Sequence, residues 1–175
     1  MSKTSASASH SLSAPEQTPE IEWQWSRFAE LSVDDLYAVV RLRETVFVVE
    51  QNCAYLDADS RDPSAWHLLG WQPIDGKRTL VAYARVFERG VRYEEASVGR
   101  VVTAPQVRGT GLGKLLMAEA LRRAESLAPG QAVKIAAQRR LERFYVDLGF
   151  TPISSPYEED LSLALQTTMN MAPME

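Results

Sequence analysis

The sequence predicts a mixed α/β domain, of the α+β kind, in which helices flank a single sheet. Three observations predict it. Apolar residues with a period of 2 and apolar residues with a period of 3.6 follow one another in the order β, α, β, β, β, α, β, α, β, β. A turn signal at Asp75-Gly76-Lys77 joins two of the strands as a hairpin. The length of 175 residues, 45% of them apolar, suits one domain with a single substantial core.

Residues 1–20 differ in kind from the rest of the chain. They are rich in Ser, Ala, Thr and Pro, and Leu12 is nearly their only large apolar residue. Such a segment cannot bury enough surface to offset the entropy of ordering it. We therefore expect a disordered tail at 1–20 and a single domain at 21–175.

In the first half of the domain, the patterns predict one helix and three strands. Alternating apolar residues at 21, 23 and 25 indicate the first strand. Ser32 and Asp35 resemble a capping box, and the helical period that follows runs on to position 47. After a polar, turn-rich loop at 57–64, the hairpin predicts strands at 66–71 and 79–88.

In the second half, strands and helices alternate. The predicted elements are a strand at 97–103, a helix at 111–127 that Pro129-Gly130 ends, a strand at 133–138, a short helix from Leu141 that Gly149 ends, and strand segments at 151–154 and 161–168. No internal repeat is found.

A glycine-rich loop lies between the strand at 97–103 and the helix at 111–127. Its glycines Gly109, Gly111 and Gly113 remove Cβ atoms that would keep an anion away from the backbone. The helix adds free N–H groups and the positive end of its dipole, so the loop suits a phosphate or pyrophosphate. Arg108 occupies the position of the first P-loop glycine, and Lys114 that of the third glycine of a dinucleotide fingerprint, so both nucleotide motifs fail. The alternative is a glycine-rich turn with no ligand.

Two motifs resemble those of the GNAT superfamily of N-acetyltransferases. Gln106-x-x-Gly109-x-Gly111 is similar to its pyrophosphate loop, and Phe144-Tyr145-x-x-x-Gly149-Phe150 is similar to its second signature. The resemblance implies the GNAT acyl-CoA N-acyltransferase fold, a mixed sheet flanked by helices with a splayed pair of central strands. It also implies acetyl-CoA as co-substrate.

The resemblance narrows to the ElaA-like branch of the superfamily. The matching segments are 42–55, 67–71, 83–85, 99–101 and 157–160, which together cover most of residues 22–160. After Asp160 the branch pattern continues with Gly-Ile-Pro-His, whereas this chain has Leu161-Ser162-Leu163-Ala164. Any acceptor contact or base that the branch histidine provides is therefore missing. The branch supplies no established acceptor.

On the donor side, the resemblance implies backbone and cationic contacts to acetyl-CoA. The implied residues are Val101, Val102, Thr103, Gln106, Arg108, Gly109, Thr110, Gly111, Leu112, Gly113 and Lys114. Gln138 stands where many members have a cofactor-contacting asparagine, and Tyr145 would protonate the departing thiolate, a task that suits a phenol with a pKa near 10. The alternatives are a solvated face for Arg108 and Lys114, and a packed helix tyrosine for Tyr145.

On the acceptor side, Glu50 is the candidate general base, and Arg43 and Gln51 are candidate substrate-binding residues. If the first helix continues, Arg43 lies two turns before Glu50 on the same face and orients its carboxylate. The alternative is an Arg43–Glu50 salt bridge that only orders the loop. His67 is interpreted as a packed core histidine and Cys53 as a structural thiol. The alternatives are a general base for His67 and an acetyl-enzyme intermediate on Cys53.

Composition restricts the partners. The net charge of −4 argues against nucleic acid, no apolar run of eighteen residues predicts a membrane span, and the single cysteine fits a reducing cytoplasm. We expect a monomer or homodimer without metal that transfers acetyl from acetyl-CoA directly to a primary amine of a small molecule or peptide. The alternatives are a catalytically weak acyl-CoA sensor and, last, an interaction domain without ligand.

Overall fold

The protein is described here by a computed structural model, which describes residues 20–155, 157–158 and 165–173. Its strands are β1 (Glu22–Arg27), β2 (Trp66–Ile74), β3 (Lys77–Phe87), β4 (Ala96–Thr103), β5 (Val133–Gln138), β6 (Thr151–Pro152), β7 (Tyr157–Glu158) and β8 (Leu165–Met171). Its α-helices are α1 (Val33–Arg43), α2 (Leu112–Leu127) and α3 (Glu142–Val146). A π-helix at Glu44–Glu50 continues α1.

The strands form one mixed sheet in the order β1-β2-β3-β4-β5-β8-β6, with β7 also paired to β8. All neighbouring pairs are antiparallel except β4 and β5, which are parallel. That parallel pair joins only Ala96–Val98 to Val133–Ile135. Beyond these three positions the two strands diverge, and the sheet opens in its middle. The expected splayed pair of central strands is confirmed.

The β2–β3 hairpin forms where the turn signal predicts it. Asp75 and Gly76 both have positive φ, at 49° and 74°, which is the conformation that a two-residue type I′ turn requires. Both strands are longer at the turn than their sequence patterns predict. Every residue of β3 from Leu80 to Phe87 is buried, so this strand is covered on both faces of the sheet.

Helix α2 begins one residue after the predicted start, ends at the predicted residue and packs against β3 and β4. Leu116, Met117, Ala120 and Ala124 are fully buried on one stripe of the helix, as its 3.6-residue period predicts. The helix begins immediately after Gly111, whose φ of 84° suits glycine because it has no Cβ.

The first helical segment differs from its prediction. Ser32 and Asp35 form the predicted capping box, and α1 begins at Val33. From Glu44, however, the chain winds as a π-helix, which closes hydrogen bonds to the fifth residue and has wider turns than an α-helix. Residues beyond Arg43 are thereby rotated relative to the faces that an uninterrupted α-helix would give them.

The C-terminal end was predicted less accurately. The last described strand, β8, extends three residues beyond the predicted end at 168, and β7 was not predicted. Residues 161–164, where the branch pattern is missing, and most of the expected tail at 1–20 lie outside the described residues. Among the described residues, no helix is long and apolar enough to cross a membrane.

Candidate active site

The divergence of β4 and β5 opens a cavity of about 630 Å³. Val101, Val102 and Thr103 line it from β4, and Ala136, Ala137 and Gln138 line it from β5. On their other sides the two strands remain paired, β4 with β3 and β5 with β8. The backbone edges that face each other across the opening therefore have their hydrogen-bonding groups directed into the cavity.

A bulge in β4 lies where the strands begin to diverge. The β3–β4 register shifts between Tyr83 and Arg85, opposite the segment that contains Arg100. Arg100 has a φ of 50°, a conformation that an L-residue with a side chain adopts only at an energetic cost. Bulges redirect a strand and are frequent beside active sites. Here the bulge turns the second half of β4 away from β5.

The glycine-rich loop has the properties of an anion site. Gly109 and Gly111 have φ of 79° and 84°, and a Cβ at either position would point into open space. Among the described residues, no backbone carbonyl accepts a hydrogen bond from the N–H groups of residues 109–113. These N–H groups lie at the start of the sixteen-residue helix α2, whose dipole adds positive potential. The loop therefore fits a pyrophosphate.

The residues of the glycine-rich loop differ in whether they line the cavity. Arg108 and Gly113 line the cavity, whereas Gln106, Gly109, Thr110, Gly111, Leu112 and Lys114 lie outside its lining. Leu112 is 2% exposed in the core, so only its N–H group can reach a ligand. The Thr110 hydroxyl donates to the Val107 carbonyl at 2.7 Å and thereby braces the loop.

Tyr145 lines the cavity and is 6% exposed. Its ring meets Phe144 and Phe150 edge to face, with ring centroids 5.1 and 5.9 Å away. Burial raises the pKa of its phenol to about 12. The hydroxyl therefore carries its proton at any physiological pH, and the ring is held in one orientation. Protonation and a fixed orientation are both required of a proton donor, although the raised pKa also makes the phenol a weaker acid.

Glu50 also lines the cavity, but its partner is not the predicted one. Its two carboxylate oxygens accept hydrogen bonds from Nη1 and Nη2 of Arg108 at 2.7 and 2.9 Å. The bond from Arg108 holds the pKa of Glu50 below its ordinary value, and nearby Arg140 acts in the same direction. Arg43 does not contact this carboxylate, since the π-helix rotates Glu50 off the face that carries Arg43.

Arg43 lies away from the cavity and is not a partner of Glu50. It is 2% exposed and lies outside the cavity lining. Its guanidinium donates to the Asp57 carboxylate at 2.6 Å, to the Asp57 carbonyl at 2.8 Å and to Asp62 at 2.8 Å. This buried position does not support the prediction that Arg43 binds substrate, and the alternative of an Arg43–Glu50 salt bridge is wrong.

Arg43 belongs to a closed ring of six alternating charges, which we call the ion ring. Going round it, Arg43 contacts Asp57, which contacts Arg100, which contacts Asp59, which contacts Arg85, which contacts Asp62, which contacts Arg43 again. The nitrogen–oxygen distances are 2.6–2.8 Å except for 3.4 Å between Arg100 and Asp59. The ring ties the loop at 57–62 to α1, to β3 and to the β4 bulge.

The sequence patterns did not connect the members of the ion ring: Arg43 was a candidate substrate ligand, and the others belonged to the branch pattern or to a polar loop. The sequence offered one signal: three aspartates close together at 57, 59 and 62, and an arginine in the predicted first helix and in each of two predicted strands. Asp59 and Arg100 line the cavity as well. Burial raises the pKa of Asp59, but hydrogen bonds and charge from Arg85 outweigh it and leave that pKa far below the usual range.

Gln51 and Gln138, which were assigned to opposite sides of the site, meet in the cavity wall. The Gln138 amide donates to the Gln51 side-chain oxygen at 2.8 Å and accepts from Arg140 Nε at 2.9 Å. The end of the π-helix is therefore joined to β5 by this amide pair and to the loop before α2 by the Glu50–Arg108 pair. The residues that were predicted for the donor side and for the acceptor side therefore share one wall of the cavity.

His67 and Cys53, which were interpreted as structural, are both buried. His67 is fully buried between the Tyr83 hydroxyl at 2.8 Å and the Asp62 carbonyl at 3.0 Å, and burial lowers its pKa. Cys53 is 9% exposed in the cavity wall. In the described part of the chain, no group of three or more His, Cys, Asp or Glu residues could hold a metal.

Known proteins are similar to this chain in sequence and in fold. The family model of the acetyltransferase (GNAT) domain matches residues 75–171. The chain is 42% identical to the protein ElaA of Escherichia coli over 142 residues, which are 80% of this chain and 90% of that protein. It is 41% identical to a UPF0039 protein of Synechocystis over 140 residues, which are 80% of this chain and 89% of that protein.

Solved structures agree with these matches. The crystal structure of Escherichia coli ElaA superposes with a TM-score of 0.77 at 39% identity, over 87% of this chain and 99% of that one. An acyl-CoA N-acyltransferase from Pseudomonas aeruginosa superposes with a TM-score of 0.79 at 35% identity, over 87% of this chain and all of that one.

Proposed function

The chain belongs to the GNAT acetyltransferase family, and from this premise we propose that it transfers an acetyl group from acetyl-CoA to a primary amine of a small molecule or peptide. The transfer takes place directly, in a ternary complex. The observation that carries the proposal is the opening between β4 and β5, which has an anion-binding loop at one end and a buried phenol in its wall.

The donor half of the cavity supports the choice of acetyl-CoA. The free N–H groups of residues 109–113 and the Arg108 guanidinium suit a pyrophosphate, and the open edges of β4 and β5 suit the amides of a pantetheine arm. Val101, Val102 and Thr103 act there through their backbone groups. Lys114 is exposed and contributes charge at most.

The reaction forms a bond between the amine nitrogen and the acetyl carbon, and it breaks the bond between that carbon and sulfur. The thiolate needs a proton, which Tyr145 donates. The incoming ammonium must lose protons, and Glu50 attracts it and relays a proton to water. Because the bond from Arg108 lowers the pKa of Glu50, its carboxylate is a weak base while it is paired. Its main contribution there is charge.

A binding module that senses acyl-CoA without turnover is the second candidate. The loss of the Gly-Ile-Pro-His segment favours it, since a histidine at the acceptor side is missing from the sequence. The two candidates share the donor site and differ in the acceptor half. Turnover therefore separates them.

The test begins with calorimetric titration of the purified protein with acetyl-CoA, followed by a screen of primary amines in which released CoA thiol is measured. We expect acetyl-CoA to bind, and at least one amine to release CoA and to gain 42 Da by mass spectrometry, the mass of an acetyl group replacing hydrogen. Binding with no turnover on any amine would favour the sensor. Absence of acetyl-CoA binding would contradict both candidates.

A further inference from the structure

The Glu50–Arg108 pair joins the two halves of the cavity. Glu50 is the last residue of the π-helix on the acceptor side, and Arg108 belongs to the loop that presents its N–H groups to an anion. The contact is bidentate, with Nη1 on one carboxylate oxygen and Nη2 on the other. The Arg108 side chain is 42% exposed and the Glu50 side chain 39%, so solvent and ligands can reach both.

The two terminal nitrogens of the Arg108 guanidinium, which we call its fork, bind the Glu50 carboxylate and are equally suited to a phosphate. Arg recognises carboxylates and phosphates through the same two parallel N–H bonds. Because Arg108 uses both Nη atoms on Glu50, a phosphate that takes this fork removes the carboxylate from it. The two anions therefore compete for one cation.

We propose that Arg108 is exchanged between two anions: it holds Glu50 until the pyrophosphate of acetyl-CoA takes its fork, and the released carboxylate then receives the ammonium of the acceptor. This inference rests on the proposed function of the two half-sites. Arg108 acts on the acceptor side through Glu50 and is a positioning residue there. Binding of the donor thus prepares the acceptor site, and an amine that arrives first meets a carboxylate that is already neutralised.

The remaining contacts allow Glu50 to be released without loss of the wall. The neighbouring Gln51 stays joined to Gln138 at 2.8 Å, and Arg140 stays bound to Gln138 at 2.9 Å. Because Arg140 also lies close enough to act on the charge of Glu50, the freed carboxylate keeps one cation nearby and remains ionised. Only one ion pair has to open.

A double-mutant cycle on acetyl-CoA affinity tests the exchange. Glu50→Gln removes the competing carboxylate, so we expect acetyl-CoA to bind about two- to fivefold more tightly, the range that a partly exposed ion pair contributes. In an Arg108→Met background the same change should give no gain. The matched control is Glu44→Gln, which removes one exposed negative charge from the start of the same π-helix and should leave the affinity unchanged.

The probe identifies which phosphate takes the fork. With dephospho-CoA, which keeps the pyrophosphate and lacks the 3′-phosphate, the gain from Glu50→Gln should persist. Loss of the gain with that probe would assign the fork to the 3′-phosphate and overturn the proposal. Equal gains with and without Arg108, or no gain in a Glu50→Gln protein that is folded by circular dichroism, would overturn it too. If the unmutated protein binds no acetyl-CoA, the proposed function itself fails.

Discussion

Among single residues, Tyr145 has the environment that matches its assigned role most directly. Its motif identified it in the sequence, and the structure places it in the cavity wall with a pKa raised to about 12 by burial. A donor with so high a pKa is never depleted of its proton in the physiological range. It also gives up that proton reluctantly, and the thiolate must lie close for transfer to occur.

We expect Tyr145→Phe to lower turnover by roughly ten- to a thousandfold with little change in acetyl-CoA affinity, because general acids typically contribute about a hundredfold or more. The ring remains, so its packing with Phe144 and Phe150 remains. Steady-state kinetics on an identified amine, with calorimetry for the affinity, would measure the effect. The matched control is Tyr37→Phe, a hydroxyl deletion at a residue that is 69% exposed. Turnover equal to that of the control would show that another group protonates the thiolate.

The sequence singled out Tyr145 and Glu50, which both line the cavity, but not the partner of Glu50. The Tyr145 motif lies in one short segment, whereas Glu50 and Arg108 are 58 positions apart and meet only through the fold. Arg43, only seven positions before Glu50, was the obvious partner for an uninterrupted α-helix. Pairing across a tertiary contact cannot be derived from helical periodicity.

At the scale of elements, the loop and helix α2 form one unit whose geometry depends on glycine. The bounds of α2 were predictable because the glycines, the apolar stripe and the ending Pro-Gly pair are all local in sequence. The π-helix was not predictable, because its apolar spacing also fits an α-helix and its wider turn is fixed by contacts elsewhere in the fold.

We expect Gly111→Val to abolish acetyl-CoA binding, because a β-branched side chain at a φ of 84° strains the loop and blocks the approach of the pyrophosphate. Gly130→Val is the matched control. It also has positive φ, at 67°, and open space around its Cβ, but it follows α2 at the other end of the helix. Calorimetric titration of both variants should find binding lost only in the first. Intact affinity in a folded Gly111→Val protein would place the pyrophosphate elsewhere.

Among the elements, the loop at 57–62 depends on the ion ring for its position. We expect Arg43→Met to destabilise the protein by about 3–5 kcal/mol, because it leaves two carboxylates of the ring without one of their cations in a buried site. Urea unfolding would measure the change. Arg41→Met, an exposed arginine on the same helix, should cost little. A loss no larger than that of Arg41→Met would mean that the loop relaxes and that the ring does not hold it.

At the scale of the whole molecule, the titratable groups His67, Asp59 and Asp62 all make the folded state less stable as the pH falls. Burial lowers the pKa of His67, so the unfolded chain takes up its proton first as the pH falls below about 6.5. Asp59 and Asp62 have pKa values held below the ordinary range by their arginines despite burial, so their contribution is complete above about pH 4 and is lost below it.

We expect the free energy of unfolding to fall gently from about pH 6.5 and then steeply below about pH 4. Asp59→Asn should be less stable than the unmutated protein at neutral pH and should show a shallower decline below about pH 4, because one of the titrating groups is gone. Urea unfolding at several pH values would test this, with the exposed Asp34→Asn as control. Parallel acid limbs for the Asp59→Asn and unmutated proteins would contradict the assignment.

The order of the elements along the chain could be predicted from local patterns. The position of β8 in the sheet could not, because it depends on the topology. Strands β1 to β5 and helices α1 to α3 were each predicted near their observed positions. The place of β8 between β5 and β6 has no local signal, because it depends on which free edge the last strand finds. The pairings of the ion ring could not be predicted either: the three aspartates are close together in sequence, but their arginine partners come from α1, β3 and β4.

The ion ring has a consequence for how this protein can change over evolutionary time. Its aspartates stand at 57, 59 and 62, and two other residues that line the cavity, Leu56 and Arg61, stand beside them in the same loop. Leu56 is 75% exposed, and Arg61 is exposed as well, so replacing either leaves the buried charges in balance. Leu56 and Arg61 are thus interleaved with the aspartates without belonging to the ion ring. Under the proposed function, substitutions at these two positions can change the acceptor preference while the ion ring keeps the loop in place.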